Sequence, residues 1–196
     1  MRDEFNEVGA VEQATGQYLE KRIQYETDYV AAHQEIFTRS TGIKPFGSTQ
    51  IDSVNRTLHT LTHGGKSVIA EPRGFGKTSR TANNALMAIL QGKIRYALIL
   101  ASSVQKAEDI LESIKTELID NEDLYNLYPR VCECCRHGGE SPQRAARQTY
   151  LGKKTHIQFS KYMIKMPVLP GEPSSGSIIQ VRSKDNVRGL AVKIRY

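Results

Sequence analysis

The residues best suited to chemistry are Glu71-Pro72-Arg73-Gly74-Phe75-Gly76-Lys77-Thr78. They fit the phosphate-loop pattern G-x-x-x-x-G-K-[ST] at every fixed position except the first, where Glu71 replaces glycine. In such a loop the backbone N–H groups wrap a triphosphate, and the helix that follows aims the positive end of its dipole at the anion. Lys77 would then reach the β- and γ-phosphates as a mobile charge, and the Thr78 hydroxyl would ligate Mg²⁺. Gly74 and Gly76 allow a close backbone approach that a Cβ would block, and Phe75 and Ser79 complete the expected ATP-binding run. The plainer reading is an ordinary strand-turn-helix with a surface lysine.

The context that supports a phosphate loop is a strand before it and an amphipathic helix after it. Ser67-Val68-Ile69-Ala70 is a short β-favouring run leading into the loop, and it predicts that strand. Downstream, Ala82, Ala85, Leu86, Ile89 and Leu90 follow the spacing of a helix face packed on a core, with Gly92 as the stop. A second buried strand is predicted over Tyr96–Ala101. Ser102 or Ser103 then caps a helix with Val104, Ala107, Ile110, Leu111, Ile114 and Leu118 inward. The order so far is β-α-β-α.

Upstream, Tyr18, Tyr25, Tyr29 and Ile36 stand near helical spacing, so a helical appendage is expected from about Gln17. After the loop-like Ser40-Thr41-Gly42-Ile43-Lys44-Pro45-Phe46-Gly47, Ser48 or Thr49 is expected to cap a helix carrying Ile51, Val54, Leu58 and Leu61, ended by Gly64-Gly65. Beyond Tyr125 the pattern weakens, then recovers as predicted strands over 155–159, 163–169 and 177–181, with Pro167, Pro170 and Pro173 marking an edge or loop.

The formal charge of +6, from 27 basic and 21 acidic residues, suits a polyanionic partner such as DNA. The longest apolar run, Ala97 to Ala101, is far below the roughly 20 residues of a membrane span, and the charged N-terminus has no signal-peptide core, so a cytoplasmic location and no membrane partner are expected. All three cysteines crowd into Cys132-Glu133-Cys134-Cys135-Arg136-His137. That spacing argues against a disulfide framework. Zinc held by Cys132, Cys134, Cys135 and His137 is the sharper reading and reduced thiols the plainer one.

The run 71–78 closely resembles the variant phosphate loop of large terminase subunits, the DNA-packaging ATPases of phages. In those proteins an arginine inside the loop precedes the Gly-x-Gly-Lys-Thr/Ser core. The resemblance implies that Arg73 acts in cis as an arginine finger on the transferring phosphoryl group, a role suited to its planar donor fork. The alternatives are a ground-state phosphate contact and an ion pair with Glu71. Gln50, in Phe46-Gly47-Ser48-Thr49-Gln50, resembles the adenine-reading glutamine of helicase-like and terminase ATPases; its plainer reading is a solvated side chain. Further segments resemble the same family: Tyr96 to Ser103, Tyr128 to Cys132, Pro167 to Gly171, Ser175 to Ile179, and the Arg188-Gly189 turn. Lys184, Arg188, Lys193 and Arg195 form a basic stretch suited to DNA phosphates or the γ-phosphate, or else a solvated face.

The fold implied is an α/β P-loop NTPase of the additional-strand, RecA-like type, a three-layer sandwich. A helical appendage would occupy 1–44 and an incomplete ATPase domain 45–196. An enzyme of this class also needs an acidic residue on a neighbouring strand to hold Mg²⁺ and a carboxylate to orient water. No four-residue apolar run here is followed by Asp-Asp or Asp-Glu. The resemblance places that strand shortly after the Arg-Gly turn, so the expectation is a C-terminally truncated fragment that binds ATP weakly and hydrolyses it hardly at all. The complete protein would drive double-stranded DNA into a procapsid with a small terminase subunit and the portal as partners, working as a homo-oligomer. A DNA helicase or related translocase, and a nucleotide- or DNA-binding prophage remnant without turnover, are the alternatives.

Overall fold

A computed structural model describes residues 7–42, 44–138 and 141–186 of the chain. The described part opens with a two-residue strand, β1 (Glu7–Val8), followed by three short helices, α1 (Gln17–Gln24), α2 (Tyr29–Glu35) and α3 (Thr38–Thr41). Asp28 starts α2 by accepting the Ala31 N–H at 2.9 Å. Next comes α4 (Ser48–His63), which stops before Gly64 as its sequence predicts. Its start differs from the expectation. Neither Ser48 nor Thr49 caps it; Gly47 is the N-cap, and the Gln50 side chain reaches back so that its Oε1 accepts the Gly47 N–H at 3.0 Å.

The predicted strand over 67–70 does not form. Residues 64–72 have no regular structure, and Val68 is 89% exposed. Strand propensity alone stabilises little without a neighbour to complete the ladder, and among the described residues none pairs with this run. The helix after the loop, α5 (Lys77–Leu90), follows the periodicity: Ala82, Leu86, Ile89 and Leu90 are buried, and Ala85 is half-buried. Gly92, at φ 73°, then lets the chain turn where a Cβ would lie 2.8 Å from Pro173.

Strand β2 (Tyr96–Ala101) and helix α6 (Val104–Asp120) occur as expected, with Ser103 Oγ accepting the Lys106 N–H at 3.3 Å. The stretch with the weak pattern is helical: α7 (Glu122–Leu127), α8 (Pro129–Gly138) and α9 (Pro142–Arg147). Five short strands follow: β3 (Thr149–Tyr150), β4 (Lys153–Lys154), β5 (Gln158–Phe159), β6 (Met163–Lys165) and β7 (Ile178–Ser183). The strand predicted over 163–169 is shortened to Met163–Lys165, because Pro167 cannot donate to a ladder, and the one predicted over 155–159 is cut to Gln158–Phe159 after His156, whose φ of 51° leaves the extended region. The strand predicted over 177–181 shifts to Ile178–Ser183.

The architecture is mixed α/β. The larger sheet has the order β2-β7-β6-β5; β2 and β7 run parallel, with Tyr96 opposite Ile178 and Ala101 opposite Ser183, whereas β5, β6 and β7 are antiparallel. A smaller sheet, β1-β3-β4, meets α8 through β1. Helices α5 and α6 pack on β2 and β7. A single cluster of buried side chains runs from Tyr25, Tyr29 and Phe37 of the N-terminal helices and their links through Leu86 and Leu90 to Leu111, Ile164 and Val181. The described residues 7–42 thus share their core with the rest.

Polar contacts fix that junction as well. Tyr29 Oη donates to Gln91 Oε1 at 2.9 Å, and the Gln91 amide donates to the Tyr25 carbonyl at 2.8 Å. Buried Glu172 receives Arg130 from α8 at 3.2 Å and Arg22 from α1 at 3.5 Å. His33 is buried on α2, with its Nε2 2.8 Å from Asn84 Oδ1 on α5 and its ring against Phe37 and Phe46.

Burial holds the His33 imidazole neutral, pushing its pKa down to about 4, with the nearby Arg80 charge acting in the same direction. An unfolded histidine titrates near 6.5, so between pH 6.5 and 4 the unfolded chain binds the extra proton and native stability falls as pH falls. The expected loss from this group is ~2 kcal/mol by pH 5, levelling off below pH 4. Urea unfolding at pH 7.5 and pH 5 checks it: His33→Gln should remove that part of the pH dependence, and an unchanged slope would discount the burial argument.

Candidate nucleotide site at the Gly74–Gly76 loop

Two glycines shape the loop. Gly74 has φ 88° and Gly76 lies in the left-handed region at φ 73°, ψ 18°, conformations that L side chains rarely adopt. Gly76 is also the N-cap of α5 and offers no side chain, and no side-chain hydrogen bond caps the helix. The first N–H groups of α5, on Lys77, Thr78 and Ser79, are consequently left for an external acceptor, at the positive end of a 14-residue helix.

The lysine closes back over its own loop. Lys77 Nζ donates to the Glu71 carbonyl at 2.5 Å and to the Pro72 carbonyl at 2.7 Å. Both acceptors are neutral, so an incoming phosphate offers the ammonium a stronger partner. Lys77 and Thr78 open onto a cleft of about 610 Å³ between the start of α5, the end of β2 and the outer face of α6. Ser79, Ser102, Lys106, Asp109 and Ser113 also line it. Asp109 is a carboxylate on that wall, and its Oδ1 accepts the Gln105 amide at 2.8 Å.

Glu71, the residue in place of the first glycine, is bound by Arg80 and not by Arg73. The Arg80 guanidinium pairs with Glu71 Oε2 through Nη2 and donates to the Phe75 carbonyl through Nη1. Its side chain is 3% exposed and that of Glu71 1%. This pair spans the base of the loop and ties its first residue to the first turn of α5. Arg80 was not among the sequence candidates, since an arginine in a helix reads as solvated. The available signal was its position three residues after Lys77, one turn along the same face, opposite a charged residue that needs a partner.

The Glu71–Arg73 pairing considered from sequence is thereby corrected. Arg73 is exposed and has no hydrogen-bond or ion-pair partner among the described residues. Gln50 does come to the loop: its Nε2 donates to the Phe75 carbonyl at 3.4 Å while Oε1 holds Gly47. Both ends of its amide hold backbone, so reading a base requires it to let go of these contacts. Phe75 projects outward, 43% exposed.

The remaining candidates lie elsewhere. Cys132, Cys134 and Cys135 are buried in the core on α8 with free thiols, and burial pushes the thiols of Cys132 and Cys134 up to about 12. That environment disfavours the thiolate that zinc or nucleophilic chemistry uses, and no group of three or more His, Cys, Asp or Glu side chains that could hold a metal occurs among the described residues. Lys184 is exposed in a 3₁₀ turn at Lys184–Asn186, while Arg188, Gly189, Lys193 and Arg195 lie outside the described residues.

No family model, curated protein or solved structure matches this chain. The site's chemistry therefore stands on its own residues. Among the described residues no helix is long and apolar enough to cross a membrane.

Proposed function

We propose that the chain binds MgATP in the cleft at the start of α5, and that it is the ATP-binding part of a viral DNA-packaging motor, the large terminase subunit. The observation that carries the nucleotide reading is the uncapped α5 N-terminus behind two positive-φ glycines, with Lys77 and Thr78 opening on one cleft. Arg73, exposed beside it, supports the terminase reading, because an arginine finger has to be free to reach a γ-phosphate. The residues fit the cofactor. Lys77 would bind the β- and γ-phosphates, the N–H groups of Lys77 to Ser79 would cradle them, and the Thr78 hydroxyl would ligate Mg²⁺. The bound Mg²⁺ would neutralise charge between the β- and γ-phosphates.

In this reading the complete motor works in the host cytoplasm as a homo-oligomer. It couples hydrolysis to translocation of double-stranded DNA into the procapsid, with a small terminase subunit and the portal as partners. The fold would be the additional-strand P-loop type. The cleft itself favours a second reading, a nucleotide-binding module without turnover: Asp109 is the one carboxylate on its walls among the described residues, and it sits on α6, not on a neighbouring strand.

Calorimetric titration tests the proposal. MgATP should bind, with AMP at least about tenfold weaker because it lacks the phosphates that Lys77 reaches. Equal affinity for ATP and AMP would sink the phosphate-loop reading. Steady-state hydrolysis by this chain is expected to stay near background, since among the described residues no strand carboxylate faces the cleft to hold a metal on the transition state. Turnover on the order of 1 s⁻¹ or faster would overturn that expectation.

A further inference from the structure

A second polyanion site is carried by the small sheet, away from the phosphate loop. Strands β3 and β4 form a hairpin, with Thr149 opposite Lys154 and Tyr150 opposite Lys153, closed by the two-residue turn Leu151-Gly152. Both turn residues have positive φ, 49° and 72°. That geometry favours Asn-Gly or Asp-Gly, yet the first position holds leucine, 60% exposed at the tip. A non-glycine residue held at positive φ is strained, and such strain gathers at sites that touch a ligand or partner.

Four cations stand on the elements that flank the tip. Lys153 and Lys154 are exposed on β4, and Arg144 and Arg147 are exposed on the last turn of α9, which runs into β3 through Gln148. The Thr155 N–H donates to the Gln148 carbonyl at 3.1 Å, so the end of α9 and the base of the hairpin lie side by side. None of the four cations enters an ion pair among the described residues. Among the described residues one carboxylate, Glu7, is bonded to the hairpin: Oε1 accepts the Gly152 N–H at 3.1 Å, and Oε2 accepts the Thr149 hydroxyl. Glu7 thus braces the tip. Tyr150, buried beneath it, accepts from Arg130 Nε at 3.2 Å.

We propose that this hairpin and the last turn of α9 form a docking site for duplex DNA, with Arg144, Arg147, Lys153 and Lys154 on phosphates and Leu151 wedged at the groove. Two arginines among the four suit phosphate, which their planar forks bind in a bidentate manner. A single-stranded ligand would call for aromatic platforms, and the hairpin's aromatic residue, Tyr150, is buried. One leucyl side chain offers too little apolar area for membrane anchoring. An apolar wedge flanked by cations matches proteins that enter the minor groove. The site is independent of nucleotide binding, so it is measured without ATP or Mg²⁺, and its failure leaves the phosphate-loop reading untouched.

The experiment is fluorescence anisotropy of a labelled duplex of about 20 base pairs across a potassium chloride series, with the whole chain. The quadruple variant Arg144→Ala, Arg147→Ala, Lys153→Ala, Lys154→Ala should bind at least about 30-fold more weakly at low salt, with a log–log salt slope shallower by about 3 to 4. A charge-matched control, Arg39→Ala, Lys44→Ala, Arg56→Ala, Lys66→Ala, removes four exposed cations elsewhere and should lose less than about threefold. Leu151→Asn suits the turn better, so it should keep or raise thermal stability while weakening duplex binding about threefold or more. Equal losses in the two quadruple variants would reduce the effect to net charge and overturn the proposal. Preference for single strands, or binding to phosphatidylserine vesicles without duplex binding, would overturn it as well.

Discussion

Arg80→Met is expected to destabilise the chain by ~3–5 kcal/mol, while Glu71→Leu combined with Arg80→Met should recover most of that loss. Both charges lie in the interior, so removing one partner strands the other where solvation cannot compensate it. Removing both takes away the desolvation cost together with the attraction. The loop already carries some of this cost: Glu71 Oε1 and Arg80 Nε are buried without a hydrogen-bond partner.

Urea unfolding of the two single variants and the double variant measures this as a double-mutant cycle. Additive losses would mean that Glu71 and Arg80 do not act as a pair. The variants also bear on the loop, because Arg80 holds the Phe75 carbonyl as well as Glu71. The double variant, stable but without this clamp, should bind nucleotide more weakly than wild type. In this way the unusual first residue of the loop has a structural reason that needs no conserved glycine.

Local periodicity carried most of what was legible beforehand. The face of α5, the strand Tyr96–Ala101 and the Ser103 cap of α6 each depend on residues within a few positions of one another, and each stands where the spacing predicts. What failed depends on distant partners. The run 67–70 has strand-forming residues but no strand beside it. The parallel pairing of β2 with β7 joins Tyr96 to Ile178 across the helical region, a link no local pattern signals. The short helices α7 to α9 were obscured because each spans only six to ten residues, too few for a repeating face, and their buried positions mix Leu124 and Leu127 with Val131, Cys132, Cys134, Cys135 and Ala145.

The site divides along the same line. Gly74, Gly76, Lys77 and Thr78 were legible because a phosphate loop is contiguous; the structure opens Lys77 and Thr78 onto one cleft, directly after the two positive-φ glycines. Arg80 and the α6 wall with Lys106 and Asp109 were not, because their roles come from what the fold sets opposite them. Gln50 falls between these cases. Its amide reaches the loop through the Phe75 carbonyl, an ordinary structural hydrogen bond, whereas the resemblance implies a contact with adenine.

Lys77→Ala should weaken MgATP binding by about 100-fold, the usual scale for losing charge-assisted hydrogen bonds to phosphate. Stability should change by less than ~1 kcal/mol, because the two bonds lost go to the loop carbonyls of Glu71 and Pro72, which water can reach in a half-exposed site. The ligand series gives the sharper discrimination. If Lys77 meets the β- and γ-phosphates, the variant's penalty should be large for ATP and ADP and close to nothing for AMP, whose single phosphate is left to the α5 N–H groups. Thr78→Val should remove the Mg²⁺ dependence of ATP affinity while leaving metal-free binding in place. Isothermal titration of the three nucleotides with and without Mg²⁺ measures all of this at once. ATP affinity unchanged by Lys77→Ala would place the nucleotide, if any, somewhere other than this loop. A penalty equal for ATP and AMP would make Lys77 a general surface cation instead of a group aimed at the outer phosphates.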